Sequence, residues 1–311
     1  DKVTCGSWKD IWLNEGFATY LAALIYENLD GIDTFITWKT NVIDYITSQP
    51  GGAVYLTDTE TNDVNRIFSS RLTYDKGAMV LEMLRWKLGD ANFFQGVREY
   101  LDDPALAYKY ATTPNLQAHL EAASGQSLSE FFNDWVYKQG YPTYSILVSH
   151  GTPGPMSITI NQTQSDASVS FFEMPVPIRV YGSAGEQLDL TLDNTSNGQV
   201  FNVTVPFAVT AVEFDPDHHI ISRNSDITLG NENFTLSNDV KLSPNPAVNT
   251  LTVSLPQNTV LKSAVFHNIL GQVVLKSGSE TSWDVSKLSS GVHFVTLVTD
   301  HGTVKQKFIK K

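Results

Sequence analysis

Cysteine occurs once in these 311 residues, at Cys5, which excludes an internal disulfide and any thiolate metal cluster. Packing, not reactivity, is the expected role of that side chain. No apolar run reaches the roughly 20 residues a helix needs to cross a bilayer. Basic residues are scarce as well: 21 Lys and Arg stand against 33 Asp and Glu, for a net charge of −12. The deficit is uneven. Residues 241–311 hold eight Lys and three acidic side chains, +5, so the first 240 residues carry −17. An acidic body with no basic, aromatic-rich patch argues against nucleic acid as a partner. The lysines near the end, Lys305, Lys307, Lys310 and Lys311, suit a solvated edge strand or a contact with an anionic surface.

What is present is the composition of a folded protein, 41% hydrophobic and 17% charged, in a chain long enough for two or three cores. Residues 1–140 carry helical periodicity. Helices are expected from about residue 7 or 10 to 29 with Gly31 ending the first, then over 33–47, 71–88 and 91–101. Thr113 before Pro114 reads as an N-cap, and Ser127 with Glu130 as a capping box for a last helix ending near Gly140. Residues 50–65 read as a loop. At Tyr141-Pro142 the period becomes alternating. Short strands are expected at 145–149, 156–160, 168–172, 176–181, 188–192, 200–205 and 211–214, which suggests a β-sandwich. Residues 222–239 are polar and read as a linker. Alternation resumes at 251–255, 263–268, 273–276, 291–299 and 303–309, as a second, smaller sandwich.

One carboxylate stands out. From Ile11 to Tyr26 the only polar side chains are Asn14, Glu15, Thr19 and two tyrosine hydroxyls. A helix so apolar all round is expected to be buried on most sides. Residues 11, 15, 18, 22 and 25 share one of its faces, as Ile, Glu, Ala, Ala and Ile. A lone ionised carboxylate there needs a cation. That cation is a metal ion, or a basic side chain such as Lys9, Arg71 or Lys76.

Trp12-Leu13-Asn14-Glu15-Gly16-Phe17-Ala18 resembles the segment that carries the third zinc ligand in aminopeptidase N-like zinc metallopeptidases, the gluzincins. In that family the first two ligands are the histidines of H-E-x-x-H, with 18 residues between the second His and the Glu. Only 14 residues precede Glu15 here, so the resemblance implies that the histidine pair lies upstream of Asp1. On this reading the chain is a fragment cut within its own active site, with Glu15 the zinc ligand and Asn14 behind it. One departure is visible. The family commonly continues Tyr-Leu-Glu, whereas Tyr20-Leu21 is followed by Ala22.

A second match follows at Leu72-Thr73-Tyr74-Asp75-Lys76-Gly77-Ala78, which resembles the signature whose Tyr donates a hydrogen bond to the tetrahedral intermediate. A phenol, neutral at pH 7, suits that task. Tyr74 is therefore the catalytic candidate, and Gly77 allows its helix close to a neighbour. Residues 135–142 resemble the family's junction between helical half and sandwich. The histidines offer no rival metal site: His218-His219 in Asp215-Pro216-Asp217-His218-His219 reads as a tight turn.

The tail resembles the C-terminal sorting domain of the type IX secretion system of Bacteroidetes. It matches at Ser243-Pro244-Asn245-Pro246, at 268–272, at 288–295 and in its lysine-rich last strand, with His293 where Tyr is usual. The implied organisation is multidomain α + β. Residues 1–140 form the helical half of the metallopeptidase catalytic domain, 141–228 a β-sandwich, 229–240 a linker and 241–311 a small Ig-like sorting domain. The implied protein is an exported zinc aminopeptidase acting on peptides, its tail read by secretion machinery at the cell surface. This fragment alone lacks H-E-x-x-H and is expected to hold no zinc and to be inactive. Two other classes remain open: a binding or adhesion protein on the same scaffold, and a related epoxide or ester hydrolase.

Overall fold

The computed structural model describes residues 2–150, 154–231, 239–256, 259–300 and 302–311. Strand β1 (Thr4–Cys5) leads through a 3-10 turn, Trp8–Asp10, into α1 (Trp12–Ile25). The helix widens into a π-helical turn, Tyr26–Asp30, and stops at Gly31, whose φ of 95° suits a residue without Cβ. Then come α2 (Ile32–Ile46), the short α3 (Val64–Ile67), and a π-helical stretch, Ser70–Lys76, that continues as α4 (Gly77–Leu88). They are followed by α5 (Asp90–Asp102), β2 (Tyr110–Ala111) parallel to β1, α6 (Thr113–Ser124) and α7 (Ser129–Phe132).

Three local expectations change. Helix α6 is capped by Thr112, not Thr113: Thr112 and Asn115 form the reciprocal box, while the Thr113 hydroxyl accepts the Trp12 indole N–H at 3.0 Å. No box forms between Ser127 and Glu130. The N-cap of α7 is Leu128, which is buried and donates its N–H to Glu121 instead. Helix α1 is not buried on most sides: Trp12, Leu13, Gly16, Tyr20 and Ala23 face the core, whereas Leu21 and Ile25 are more than half exposed.

The alternating region folds as β3 (Pro142–His150), β4 (Gly154–Gln164), β5 (Met174–Gly182), β6 (Gln187–Asn194), β7 (Gln199–Val205), β8 (Val209–Phe214) and β9 (Asp226–Asn231). One sheet has the order β7-β4-β3-β9 and the other β6-β5-β8. Buried residues of both, such as Ile146, Ile158, Ile178 and Val180, join the helices in one hydrophobic cluster. The strand expected at 168–172 does not form. Val169 and Phe172 are buried, but the Phe172 backbone bonds the Gln162 side chain in place of a ladder partner. Strand β9 falls inside the stretch read as a linker, because its backbone satisfies the free edge of β3, Ile227 opposite Ile146. Residues 232–238 of that linker lie outside the described residues.

The last part comprises β10 (Lys241–Ser243), β11 (Thr250–Ser254), β12 (Leu261–Asn268), β13 (Val273–Ser277), β14 (Ser282–Asp284), β15 (Gly291–Thr299) and β16 (Gly302–Lys310). Sheets β10-β11-β14 and β13-β12-β15-β16 share a separate core around Phe266, Trp283, Leu297 and Phe308. The three-residue strands β10 and β14 were too short for alternation to mark.

A buried ionic cluster ties α1, α2 and α4 to the turn after β8. Glu82 of α4, 2% exposed, accepts from Tyr20 Oη at 2.7 Å, Lys39 Nζ at 3.1 Å and His219 Nδ1 at 2.9 Å. A carboxylate only accepts, so His219 carries its proton on Nδ1. The imidazole also stacks on Trp86, centroids 4.3 Å apart. Burial alone raises the Glu82 pKa. The His219 hydrogen bond and the Lys39 charge outweigh it and bring the carboxyl from 4.5 down to about 2. A depressed carboxyl stabilises the fold above its unfolded pKa, and that contribution disappears as pH falls toward the folded value. Urea titrations between pH 5 and 2 should therefore show a loss of about 3 kcal/mol that Glu82→Gln does not show. At neutral pH, Glu82→Ala leaves the Lys39 charge buried and unpaired, and is expected to cost about 3–5 kcal/mol in the same measurement.

Candidate metal centre

Three contacts fix the start of α1. The Ser7 hydroxyl accepts the Lys9 N–H and caps the turn before the helix. Buried Asp10 accepts both the N–H and the hydroxyl of Thr113, each at 2.8 Å. Asn14 accepts the Cys5 N–H at 2.8 Å and donates to the Thr4 hydroxyl at 3.2 Å, holding β1 against α1. Glu15 follows in the first helical turn. It is half-buried on the wall of a cleft of about 730 Å³, which Asn14, Ile11, Trp8, Lys9 and Phe68 also line. The carboxylate thus borders open space and is not sunk among apolar side chains.

Helix α1 meets the Tyr74 segment at two glycines. A Cβ added to Gly16 would stand 2.9 Å from the Gly77 carbonyl carbon, and one on Gly77 would stand 3.2 Å from the Gly16 Cα. The two backbones are in contact, one residue after Glu15 and three after Tyr74. That brings the Tyr74 phenol within reach of the Glu15 carboxylate. Burial first, then the charge of Glu15 and its role as hydrogen-bond acceptor, push the Tyr74 phenol above its ordinary value.

None of the three basic side chains that could neutralise Glu15 is disposed to do so. Lys9 pairs with Asp58 at 2.6 Å. Arg71 donates to the carbonyls of Ile46 and Gly51. Lys76, fully buried, donates to the carbonyls of Gly52 and Gly140, and burial followed by the charges of Arg71 and Arg66 lowers its pKa to about 7. Among the described residues no group of three His, Cys, Asp or Glu converges to hold a metal. Cys5 borders the cleft, but burial and then Asp10 raise its thiol pKa and keep it an unreactive thiol.

Sequence reasoning left out the buried Asp10–Thr113 clamp, the carbonyl ligation of Lys76, and Asp75, whose carboxyl burial pushes up to about 6. Nothing local marks them, since the first two depend on partners far along the chain and the third on burial that only packing creates. Asp215 with a left-handed φ of 44° and His218 at 53° form the tight turn expected there, and the turn presents His219 to Glu82.

The profile of the Peptidase family M1 domain matches residues 1–135, and that of the secretion system C-terminal sorting domain matches residues 241–311. The chain therefore carries an aminopeptidase N-like M1 domain in its N-terminal part and a type IX sorting domain at its C-terminus. Probable aminopeptidase 2 of Sulfurisphaera tokodaii is 35% identical over 158 residues, 48% of this chain and 19% of that protein. Tricorn protease-interacting factor F2 of Thermoplasma volcanium is 28% identical over 60% of this chain and 24% of its own length. The crystal structure of Legionella pneumophila aminopeptidase A in complex with aspartic acid shares the fold over 73% of this chain and 25% of that one, with a TM-score of 0.54 at 18% identity. The chain spans about a fifth to a quarter of the length of these relatives.

The glycine contact is directly testable. Gly16→Ala should lower stability by about 1–3 kcal/mol, read as a lower melting temperature, because the two backbones must separate. An unchanged melting temperature would show that the helices have room to spare.

Proposed function

We propose that these residues form one side of the active site of an exported, zinc-dependent aminopeptidase. The observation that carries the reading is the pairing of Glu15 and Tyr74: a cleft-lining carboxylate with no basic partner among the described residues and a protonated phenol beside it. In this reading Glu15 is the third zinc ligand. Asn14 supports it from behind by locking β1 to α1. The donor set fits one corner of a zinc site and no more. The other ligands are imidazoles of an H-E-x-x-H segment, a sequence absent from these 311 residues, so this chain alone holds no zinc and is inactive. When bound, zinc supplies Lewis-acid polarisation of the scissile carbonyl.

Tyr74 is the catalytic group contributed here. Its raised pKa keeps the hydroxyl protonated at neutral pH, able to donate to the oxyanion that develops as the carbonyl becomes tetrahedral. The substrate class is peptides with a free amino terminus, in keeping with the names of the relatives. The two sheets of residues 141–228 act as a sandwich that braces the helical half through His219. Residues 241–311 address the protein to the type IX machinery of a Bacteroidetes-type bacterium and so to the cell surface or medium.

The test is the full-length gene product assayed on aminoacyl-naphthylamides. Chelation should abolish turnover and zinc should restore it. Tyr74→Phe should lower kcat by about 10²–10³ with zinc content unchanged. Full activity in that variant would remove Tyr74 from the mechanism, and upstream codons without the histidine pair would end the peptidase reading.

A further inference from the structure

The β12–β13 hairpin of the tail holds two aliphatic side chains out in water. Asn268 closes its tip. The Asn268 carboxamide oxygen accepts the N–H groups of Leu270 and Gln272, each at 3.0 Å, and its amide donates to the Gln272 side chain at 2.8 Å. The Gly271 N–H donates to the Asn268 carbonyl at 3.0 Å, and Gly271 takes the left-handed φ of 78° that lets the turn close. Turn tips are usually built from Gly, Asn, Asp, Ser and Pro. Here Ile269 and Leu270 stand 72% and 77% exposed.

The strand register extends this tip into a layered sheet face. His267 lies opposite Val273 on β13 and Phe294 on β15, and Val292 lies opposite Ile309 on β16. Val273, Phe294, Val292 and Ile309 are all exposed, so their apolar surface continues that of the tip. Lysines follow on the same face. Lys307 is opposite Phe294, Lys305 opposite Thr296 and Lys276 opposite Val265, the last two one pleat, about 7 Å, farther from the tip. Glu280 and Asp300 follow the far ends of β13 and β15, away from the tip. The third acidic residue of the tail, Asp284, lies in the other sheet and accepts the Ser286 N–H.

We propose that this end of the tail docks on an anionic phospholipid bilayer, with Ile269 and Leu270 entering the boundary between headgroups and acyl chains and Lys305 and Lys307 meeting the phosphates. The occupant follows from the layering. Apolar side chains lead and ammonium groups stand a few ångströms behind them, which is the order in which a bilayer presents acyl chains and anionic headgroups. Side chains as open as Ile269 and Leu270 project from the surface and do not line a hollow that a partner's side chain could fill. The +5 charge of residues 241–311 favours an anionic surface. The −17 of the first 240 residues is screened beyond about 10 Å at 0.1 M salt. The inference stands on the fold of the tail and is independent of the peptidase reading.

The experiment sediments the whole chain with vesicles of phosphatidylcholine, with or without about 30% phosphatidylglycerol, in about 0.1 M salt. The anionic vesicles should carry the protein down and the neutral ones should leave most of it in solution. Ile269→Ser combined with Leu270→Ser should lower the partition coefficient about tenfold, with the melting temperature unchanged because both side chains are exposed. Lys305→Gln combined with Lys307→Gln should lower it about tenfold on the anionic vesicles, and about 0.5 M salt should weaken binding likewise. A second readout reports depth. An environment-sensitive fluorophore on Leu270→Cys, in a Cys5→Ser background, should shift to the blue on anionic vesicles, while one on Lys262→Cys should not. No sedimentation, equal sedimentation of the tip variant, or a label at position 270 that stays in water overturns the proposal. Tip-dependent dimers in light scattering without vesicle binding also overturn it and assign the face to a second copy of the chain.

Discussion

Two backbones touching at Gly16 and Gly77 set the geometry on which the candidate centre depends. Glu15 and Tyr74 lie on different helical segments, 59 positions apart in sequence. Their side chains meet only because neither segment carries a Cβ at the crossing. Helices usually pack with axes 8–10 Å apart, held off by their side chains, and glycine at the contact permits the closer end of that range. Asp10, bound to Thr113, and Asn14, bound to Cys5 and Thr4, hold the N-terminal end of α1 in register with that crossing. The same helix reaches Glu82 through Tyr20, so its two ends are fixed by different networks.

The Glu82 cluster serves another purpose. It joins three helices to a turn of the β region, with a buried carboxylate satisfied by an ammonium, a phenol and an imidazole. Buried ion pairs contribute modestly to net stability, but leaving one partner unpaired is costly. Such a cluster disfavours any docking of helices on sheets that omits His219. Trp86, stacked on His219 and donating to the Pro175 carbonyl, reinforces the same junction.

Much of this could be read without coordinates. Helical periodicity located α1, α2, α4 and α5 to within a few residues, and alternation located β3–β8 and the long strands of the tail. The misreadings share a cause. At 168–172 alternation reported burial correctly, yet burial does not require a ladder when Gln162 can satisfy the Phe172 backbone. At 226–231 a polar segment became a strand because an unpaired sheet edge needed partners. The cap of α6 shifted to Thr112 because tertiary hydrogen bonds to Trp12 and Asp10 claimed Thr113, while at α7 the Ser127 hydroxyl accepts from Ser129 and no box with Glu130 forms.

The amino-acid order by itself determined the helical and alternating regions, the candidate pair Glu15 and Tyr74, and the sorting tail, because local periodicity and short motifs are encoded within a few turns of chain. Only the tertiary structure decided that Glu15 borders a cleft and finds no basic partner among the described residues, that Lys9, Arg71 and Lys76 are committed elsewhere, and that His219 grips Glu82. Each of those outcomes is a competition among distant groups for one partner or one volume, and competitions of that kind are settled by packing, not by sequence distance.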